Sequence, residues 1–188
     1  MQDKKAQRER IKERINGLSK SEREAFCRAI TERALDLPEY KSAKVIFIYV
    51  AAGNEAETAE IIAESLKNNK TVAVPVIVDK DMKAAVISPK TEFILNKYNI
   101  KEPVLKNAEI INPADAELIL APLMGFDENL NRLGRGGGYY DKFLAEAKKA
   151  VVIGLGYELQ KEQSIITEPH DRKLDAVVTE TRIYRNIN

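Results

Sequence analysis

Short apolar runs separated by helix-like segments recur along this chain, and they constrain the fold more than any other feature of the sequence. The runs have the length of strands, and β-branched residues are frequent in them. They are KVIFIYV at 44–50, TVAVPVIV at 71–78, AELILAPL at 116–123, AVVIGLG at 150–156 and DAVVTETRIYR at 175–185. Runs that are apolar at nearly every position are typical of strands buried on both faces. Their alternation with helices predicts an α/β fold with a mostly parallel sheet and helices on both sides.

The first part of the chain has helical patterns. Residues 3–35 indicate two helices, and Ser19 with Glu22 forms a capping box at the start of the second. Pro38 is expected to end this helical region.

Further elements follow in the remaining sequence. Ile61, Ile62 and Leu66 mark the buried side of another helix, and residues 140–149 indicate one more. Residues 81–88 favour a strand at a sheet edge or in a β-hairpin. Residues 89–115 contain three prolines and are predicted to be irregular.

Composition narrows the class of protein. A length of 188 residues suits one domain over residues 1–188, and a net charge of +1 gives no general attraction to nucleic acid or membranes. The lone Cys27 excludes an internal disulfide, and its place near Phe26 and Ile30 indicates helix packing rather than a nucleophile. The first residues lack the apolar core of a secretion signal, and no apolar run approaches the roughly 20 residues of a membrane span. We therefore expect a cytoplasmic protein.

Three polar or glycine-rich segments directly follow predicted strands, namely 51–58, 124–141 and 156–171. Ligands of open α/β sheets bind beyond the carboxyl ends of the strands. The order of elements therefore predicts that these segments form one site.

The segment NRLGRGGGYYDKFL, residues 131–144, places four glycines around Arg135 within five residues. It lacks the lysine and hydroxyl of a Walker A loop, and it lacks the third glycine of a dinucleotide fingerprint. Consecutive glycines nevertheless allow several backbone N–H groups to face one anion, next to the positive end of a helix. Arg132 and Arg135 add donors suited to phosphate, and Asp141 offers a ligand for Mg²⁺. The alternative is a plain strand-to-helix turn in which Asp141 only favours the helix dipole.

The longer stretch FDENLNRLGRGGGYYDKFL resembles the signature of the 5-formyltetrahydrofolate cyclo-ligase (methenyltetrahydrofolate synthetase) family. The resemblance extends over nearly the whole chain. Its other elements, in chain order, are Lys4 with Arg8, Glu55-Ala-Glu57-Thr58, Ile100-Lys-Glu102-Pro103, Gln160, and HDRKLD at 170–175 followed by VVTE. Leu123 and Leu130 stand where the family usually has glycine, which predicts a change in loop shape.

The resemblance implies a three-layer α/β sandwich, like that of sugar-phosphate isomerases and CoA-transferases. It also implies an activity, in which 5-formyltetrahydrofolate, ATP and Mg²⁺ give 5,10-methenyltetrahydrofolate, ADP and phosphate. We expect a monomer.

The resemblance also implies roles for particular residues, with Arg135 and Tyr139 as the catalytic pair. Those expected to bind ATP are Lys4, Arg8, Arg132, Leu133, Gly134, Arg135, Gly136, Gly137, Gly138, Tyr139 and Tyr140. Those expected to bind the folate are Val50, Glu55, Arg135, Gly136, Gly137, Gly138 and Tyr139. Asp141 and Asp171 would be the ligands of Mg²⁺.

Each of these residues also has a structural explanation. Lys4 and Arg8 could belong to a solvated basic helix face, and Glu55 with Glu57 could favour the start of a helix. Asp171 could form an Asx-turn, and the reaction gives the single histidine, His170, little to do as a base. Tyr139 and Tyr140 could equally pack in the core.

Two other functions remain open on the sequence alone. A sugar-phosphate isomerase or CoA-transferase of similar fold would bind phosphate without ATP hydrolysis. A folate- or nucleotide-binding protein without turnover would have less need for Arg135, Asp141 and Asp171 together.

Overall fold

The computed structural model describes residues 3–96, 100–104, 108–169 and 171–185. Its strands, in chain order, are β1 Val45–Ile48, β2 Thr71–Val78, β3 Asp81–Ile87, β4 Phe93–Leu95, β5 Lys101–Pro103, β6 Ile110–Ile111, β7 Leu118–Pro122, β8 Gly125–Phe126, β9 Arg132–Leu133, β10 Val151–Leu155, β11 Ala176–Val178 and β12 Ile183–Arg185. Its α-helices are α1 Lys4–Asn16, α2 Lys20–Asp36, α3 Pro38–Ser42, α4 Ala59–Lys67 and α5 Tyr139–Glu146.

The main sheet has the strand order β12-β11-β10-β7-β1-β2-β3-β6 among the described residues. The five strands from β11 to β2 are parallel to one another. Antiparallel strands complete both edges. The predicted mostly parallel sheet is therefore confirmed at its centre, where the apolar runs are longest.

Alternate residues of the central strands point into two apolar layers. Ile46 and Ile48 of β1 pack in a cluster with residues of α1, α2 and α4. Phe47, between them, lies in a second cluster with Phe143 and Leu144 of α5. Because side chains of a strand alternate between faces, helices cover both sides of the sheet. The three-layer arrangement is thus confirmed.

Local signals explain most element boundaries. The capping box of Ser19 and Glu22 is present at the start of α2. Asp79 and Lys80 both have positive φ, of 49° and 68°, as a two-residue hairpin turn requires. They join β2 to β3, so the hairpin alternative for residues 81–88 is the right one. Pro38 was expected to end the helical region, but it begins α3, where proline at the first helical position loses no hydrogen bond.

Two further sequence predictions of secondary structure were wrong. Residues 89–115 are not wholly irregular, since they contain β4, β5, β6 and a 3₁₀ turn at Pro113–Asp115. Strands of two or three residues are too short to show a period. Residues 175–185 form two strands instead of one, because Thr179 and Arg182 close a turn between β11 and β12. In the described part of the chain, no helix is long and apolar enough to cross a membrane.

Candidate active site

A cavity of about 450 Å³ lies at the carboxyl ends of the central strands. All three segments predicted to converge, 51–58, 124–141 and 156–171, contribute to its wall. Helix α1 closes one side with Lys4 and Arg8. The volume is in the range of pockets for small molecules and cofactors.

The glycine loop connects β9 to α5 along one wall of this cavity. Gly136 and Gly138 have φ of 98° and 69°, a backbone region that side chains rarely adopt. A Cβ atom at Gly136 would lie 3.4 Å from the guanidinium carbon of Arg8. The Nε atom of Arg8 donates a hydrogen bond to the carbonyl of Gly134, at 2.8 Å. The glycines thus serve both the turn and the close approach of α1.

Lys4 and Arg8 face the cavity, whereas Lys5 and Lys12 on the same helix are exposed. The inward direction is explained by the buried residues of α1, Gln7, Ile11 and Ile15, which set its orientation. The alternative of a solvated basic helix face therefore applies to Lys5 and Lys12, but it does not explain Lys4 and Arg8.

Three ion pairs in the cavity each join a cation expected to bind phosphate to a carboxylate expected to bind metal or folate. They are Lys4 Nζ–Asp171 Oδ2 at 3.0 Å, Arg132 Nη2–Asp141 Oδ1 at 2.6 Å and Arg135 Nη2–Glu55 Oε1 at 2.8 Å. The cavity wall is therefore close to electrically balanced as it stands.

The Lys4 pair also involves Glu168, at 3.3 Å from the ammonium group. Burial lowers the pKa of Lys4, but hydrogen bonds to Asp171 and Glu168 outweigh it, and the pKa is raised above its ordinary value. Asp171 also accepts a hydrogen bond from the Glu168 N–H at 2.8 Å, so its side chain supports the 168–171 turn as well as lining the cavity. Because this donor precedes Asp171 in the chain, the bond is not that of the Asx-turn considered as an alternative. His170 lies outside the described residues.

Glu55 is held in the loop between β1 and α4. Its Oε2 atom accepts a hydrogen bond from the Ala52 N–H at 3.0 Å. Thr58 fixes the same loop by donating to the Tyr49 carbonyl and accepting from the Ala51 N–H. Burial raises the pKa of the Glu55 carboxyl above its ordinary value, and the charge of Arg135 opposes the rise only in part. Because α4 begins at Ala59, Glu55 is not in its first turn, and a helix-start role does not explain it.

The two tyrosines at the start of α5 have different surroundings. Tyr139 is 38% exposed and lies at the cavity wall. Tyr140 packs its ring against Phe47, with ring centres 6.2 Å apart, and the guanidinium of Arg132 lies 5.5 Å from its ring centre. Tyr140 thus combines core packing with a position in the cavity wall.

Asp141 and Asp171 provide hard oxygen ligands of the kind that Mg²⁺ prefers. Both line the same cavity, next to the glycine loop. Within the described residues, no group of three or more acidic, histidine or cysteine side chains is arranged to hold a metal. These two carboxylates therefore fit a Mg²⁺ ion whose other ligands come from phosphate oxygens and water.

The sequence analysis missed the side chains that support the site. The Asp127 carboxylate accepts hydrogen bonds from the N–H groups of Asn129, Asn131 and Ile165. Gln160, noted only for its place in the resemblance, donates to the carbonyls of Leu123 and Met124. Asp127 belongs to the quoted signature, but only the fold shows that it fixes the loop rather than binding a ligand.

The apolar wall of the cavity was also not predicted. Its residues come from the β2–β3 hairpin, the β5 region and the end of β7, and include Pro75, Ile77, Met82, Ile100 and Met124. Nothing in their local sequence distinguishes them from core residues.

The two leucines in family glycine positions are both accommodated. Leu130 is fully buried with a φ of 61°, the left-handed conformation that glycine adopts readily. Leu123 fills space next to Gly154 and Gly156, where a Cβ atom would come within 2.6 Å of its methyl groups. The bulk of Leu123 is therefore matched by glycines on β10 and just beyond it.

The fold and cavity together define a class of protein. It is an α/β protein with a cavity at its strand ends, whose wall combines cations, carboxylates and a glycine loop on one side with apolar side chains on the other, a lining typical of sites for small anionic molecules and cofactors.

Comparison with known proteins identifies the family. The 5-formyltetrahydrofolate cyclo-ligase family model matches residues 1–180, and the chain belongs to that family. A protein of Schizosaccharomyces pombe named probable 5-formyltetrahydrofolate cyclo-ligase is 31% identical over 175 residues, covering 85% of this chain and 86% of the relative. The mouse 5-formyltetrahydrofolate cyclo-ligase is 29% identical over 189 residues, covering 94% and 93%.

Solved structures agree with this assignment. The NMR structure of Aquifex aeolicus 5,10-methenyltetrahydrofolate synthetase superposes with a TM-score of 0.86 at 28% identity, over 97% of this chain and 92% of that one. The Mycoplasma pneumoniae 5,10-methenyltetrahydrofolate synthetase, at 24% identity and a TM-score of 0.78, has the same fold over 95% of this chain and 99% of that one.

Proposed function

We propose that this protein converts 5-formyltetrahydrofolate to 5,10-methenyltetrahydrofolate, with ATP giving ADP and phosphate. One observation carries the proposal. Every residue that the resemblance assigns to ATP, folate or Mg²⁺ lies in the wall of the same cavity, although these residues come from positions 4 to 171 of the chain. Family membership indicates which reaction the protein catalyses. The residues that the resemblance assigns to the ligands of this reaction line one cavity.

The chemistry requires activation of an oxygen atom. The N5-formyl group is an amide, and its oxygen is a poor leaving group. In the proposed reaction the formyl oxygen attacks the γ-phosphorus and ADP leaves. N10 then attacks the formyl carbon and loses its proton, and phosphate departs with the former formyl oxygen. The protein contributes positioning and charge stabilisation instead of a covalent intermediate.

The cationic wall would bind the phosphates. Lys4, Arg8, Arg132 and Arg135 surround the glycine loop, whose N–H groups add uncharged donors. Asp141 and Asp171 would hold Mg²⁺, which when bound neutralises part of the phosphate charge. Binding would then exchange ion-pair partners, since the carboxylates turn to the metal while their cations turn to phosphate oxygens. This exchange leaves no buried charge unpaired, which would otherwise be costly.

The carboxylate of Glu55 would bind the pterin. A buried carboxylate accepts N–H groups well, and the 2-amino and N3 groups of a pterin offer two of them. In the structure Arg135 forms an ion pair with one carboxylate oxygen of Glu55. The pterin would displace it, so Arg135 becomes free to meet the formyl oxygen and γ-phosphate. Folate binding would thereby place the catalytic arginine.

The same proposal covers the state of the protein. Residues from position 4 to position 171 line one cavity, which supports a single domain, and the monomer expected from the sequence stays a prediction. Cys27 is a free, buried thiol, which supports a reducing compartment such as the cytoplasm.

An absorbance assay tests the activity. Purified protein, 5-formyltetrahydrofolate, ATP and Mg²⁺ should produce the methenyl chromophore, and leaving out ATP should abolish it. Binding of both ligands without product would indicate a binding protein. Isomerisation of a sugar phosphate without ATP, and no methenyl product, would support the isomerase alternative.

Isotope labelling tests the phosphorylation step. Substrate carrying ¹⁸O in its formyl group should give inorganic phosphate with one labelled oxygen per turnover. Unlabelled phosphate, measured by mass spectrometry, would rule out transfer of the formyl oxygen to phosphorus even if methenyl product formed.

A further inference from the structure

The hydroxyl of Tyr140 is an unusual polar group in this site. Its oxygen is buried, and among the residues that the structure describes it has no hydrogen-bond partner. The other described buried tyrosine hydroxyls nearby are paired, Tyr49 with the Ala56 carbonyl at 2.7 Å and Tyr157 with Cys27 at 3.3 Å. A buried hydroxyl without a partner costs free energy in the folded protein. Such a group at a cavity wall indicates a partner that arrives with a ligand.

The surroundings of Tyr140 define what kind of partner it can take. Burial raises the pKa of the Tyr140 hydroxyl, and the negative charge of Glu55 raises it further. A phenol hydroxyl is protonated at neutral pH even without this shift, so it can donate a hydrogen bond. Its ring is fixed by Phe47 and Arg132, so the direction of that donor is fixed as well.

We infer that Tyr140 donates a hydrogen bond to the 4-oxo group of the pterin, so that Tyr140 and Glu55 together recognise the 2-amino-4-oxo edge of the substrate. This inference rests on the proposed function and assigns Tyr140 a part in choosing the substrate. In a pterin, the 4-oxo group is adjacent to N3–H. Tyr140 and Glu55 line the same cavity, so a pterin whose N3–H meets the Glu55 carboxylate would present its 4-oxo group to a donor on the same wall.

Two other partners fit less well. A phosphate oxygen of ATP has Arg132 and Arg135 as charged donors in the same wall, so it does not depend on the Tyr140 hydroxyl, and it would also face the negative charge of Glu55. The formyl oxygen would already be met by Arg135 in the proposed reaction, so it does not need the Tyr140 hydroxyl. Neither point applies to a neutral carbonyl for which no other donor is assigned.

The variant Tyr140→Phe tests the inference because it removes only the oxygen atom. The affinity for 5-formyltetrahydrofolate should fall by about tenfold, as for one hydrogen bond lost in a buried site, while the affinity for ATP stays within about twofold. The Tm of the free protein should be unchanged or higher, since the unpaired hydroxyl is gone. The matched variant Tyr49→Phe removes a paired hydroxyl and should lower Tm.

A pair of ligands identifies the atom that is recognised. The loss caused by Tyr140→Phe should be larger for a 4-oxo tetrahydropteridine than for its 4-amino counterpart, which cannot accept the hydrogen bond at that position in the same way. Equal losses for the two ligands, an unchanged folate affinity, or an equal loss for ATP would each overturn the inference. So would a fall in Tm, or a failure to fold, like that of a residue with a structural role.

The wild-type assay separates this inference from the function it rests on. If wild-type protein forms no methenyl product, the proposed function is wrong. If wild-type protein turns over and Tyr140→Phe binds folate normally, only the role of Tyr140 is wrong.

Discussion

The two walls of the cavity differ in how they are built. The charged wall comes from α1, the glycine loop and the 168–171 turn, and ion pairs and hydrogen bonds fix nearly every side chain in it. The apolar wall comes from the β2–β3 hairpin and the region of β5, where strand pairing holds the backbone and the side chains facing the cavity are mainly apolar. Next to it, Phe93, Ile94 and Leu95 of β4 are 39%, 57% and 61% exposed.

This difference in construction predicts different kinetic roles for the two walls. Groups that stabilise charge in a transition state must be fixed before the reaction, because reorganising them costs energy at the critical moment. Groups that hold an apolar ring need only shape and contact, and they act on ground state and transition state alike. We therefore expect changes in the charged wall to lower kcat, and changes in the apolar wall to raise the KM for folate.

The largest effect is expected for Arg135→Ala. Losing one charged donor to the transferring phosphoryl group should lower kcat by about 10²–10³-fold. Arg185, which pairs with Glu39 away from the cavity, provides the control Arg185→Ala, with near-normal turnover. Steady-state kinetics on both variants measure the difference, and a near-normal kcat for Arg135→Ala would remove this residue from the mechanism.

Metal dependence should change next most strongly. Asp141→Asn and Asp171→Asn should each raise the Mg²⁺ concentration for half-maximal activity by about tenfold or more, because a neutral amide is a weaker ligand for a hard cation. Titration of activity with Mg²⁺ at saturating ATP measures this. Wild-type dependence in both variants would mean that the carboxylates are structural and that ATP alone holds the metal.

Helix α1 allows a test with a matched control on the same helix. Arg8→Ala should raise the KM for ATP by about tenfold and leave that for folate within about twofold, because a charged donor to phosphate is lost. Lys5→Ala removes an exposed cation one turn away and should change neither value. Equal increases for both substrates in Arg8→Ala would indicate a displaced helix instead.

Changes in the apolar wall should have a smaller effect, and they should alter the KM for folate instead of kcat. Met82→Ala would remove an apolar side chain from the wall proposed to hold the folate ring, and it should raise the KM for folate by about fivefold, in line with the loss of partly buried apolar area. The kcat should hardly change. Ile94→Ala, at a side chain that does not line the cavity, is the control. A lower kcat with unchanged KM in Met82→Ala would contradict the expectation that the apolar wall affects the KM for folate and the charged wall affects kcat.

The smallest effect near neutral pH concerns Glu55. Because burial raises its pKa, this carboxyl gains a proton at a higher pH than an ordinary glutamate does. The protonated form is a weaker acceptor for pterin N–H groups, so kcat/KM for folate should fall as pH decreases through the raised pKa. In Glu55→Gln this fall should be absent, with a lower value throughout. An unchanged acid limb in the variant would assign the titration to another group.

Sequence alone identified the parts of the molecule whose signals are local. The buried strands of the sheet centre are visible as apolar runs. The glycine loop is visible because glycine adopts positive φ values, such as those at Gly136 and Gly138, more readily than other residues. The roles expected for the loop residues came from resemblance. By contrast, β4, β5 and β6 have two or three residues each, which is too few to show the alternation of apolar and polar side chains that indicates a strand.

The pairings inside the cavity were not predictable in the same way. Lys4 and Asp171 are 167 positions apart, and nothing in the spacing of a sequence shows that a cation and a carboxylate with separate expected roles neutralise each other. The unpaired hydroxyl of Tyr140 depends on where its ring packs, which is a property of the whole fold. His170 lies outside the described residues, so the expectation that it does not act as a general base stays a prediction.

The attachment of α1 has a consequence for folding. Its contacts with the cavity join Lys4, Gln7 and Arg8 to residues 126 to 167 positions further along the chain. A helix of this length is marginal by itself in water, and closing such long loops costs entropy before any contact repays it. Helix α1 is therefore made early by the ribosome but docks late. Two of the expected phosphate-binding cations would then reach their places only after residues 134 and 164–171 have folded, so the proposed nucleotide binding would report that folding is complete.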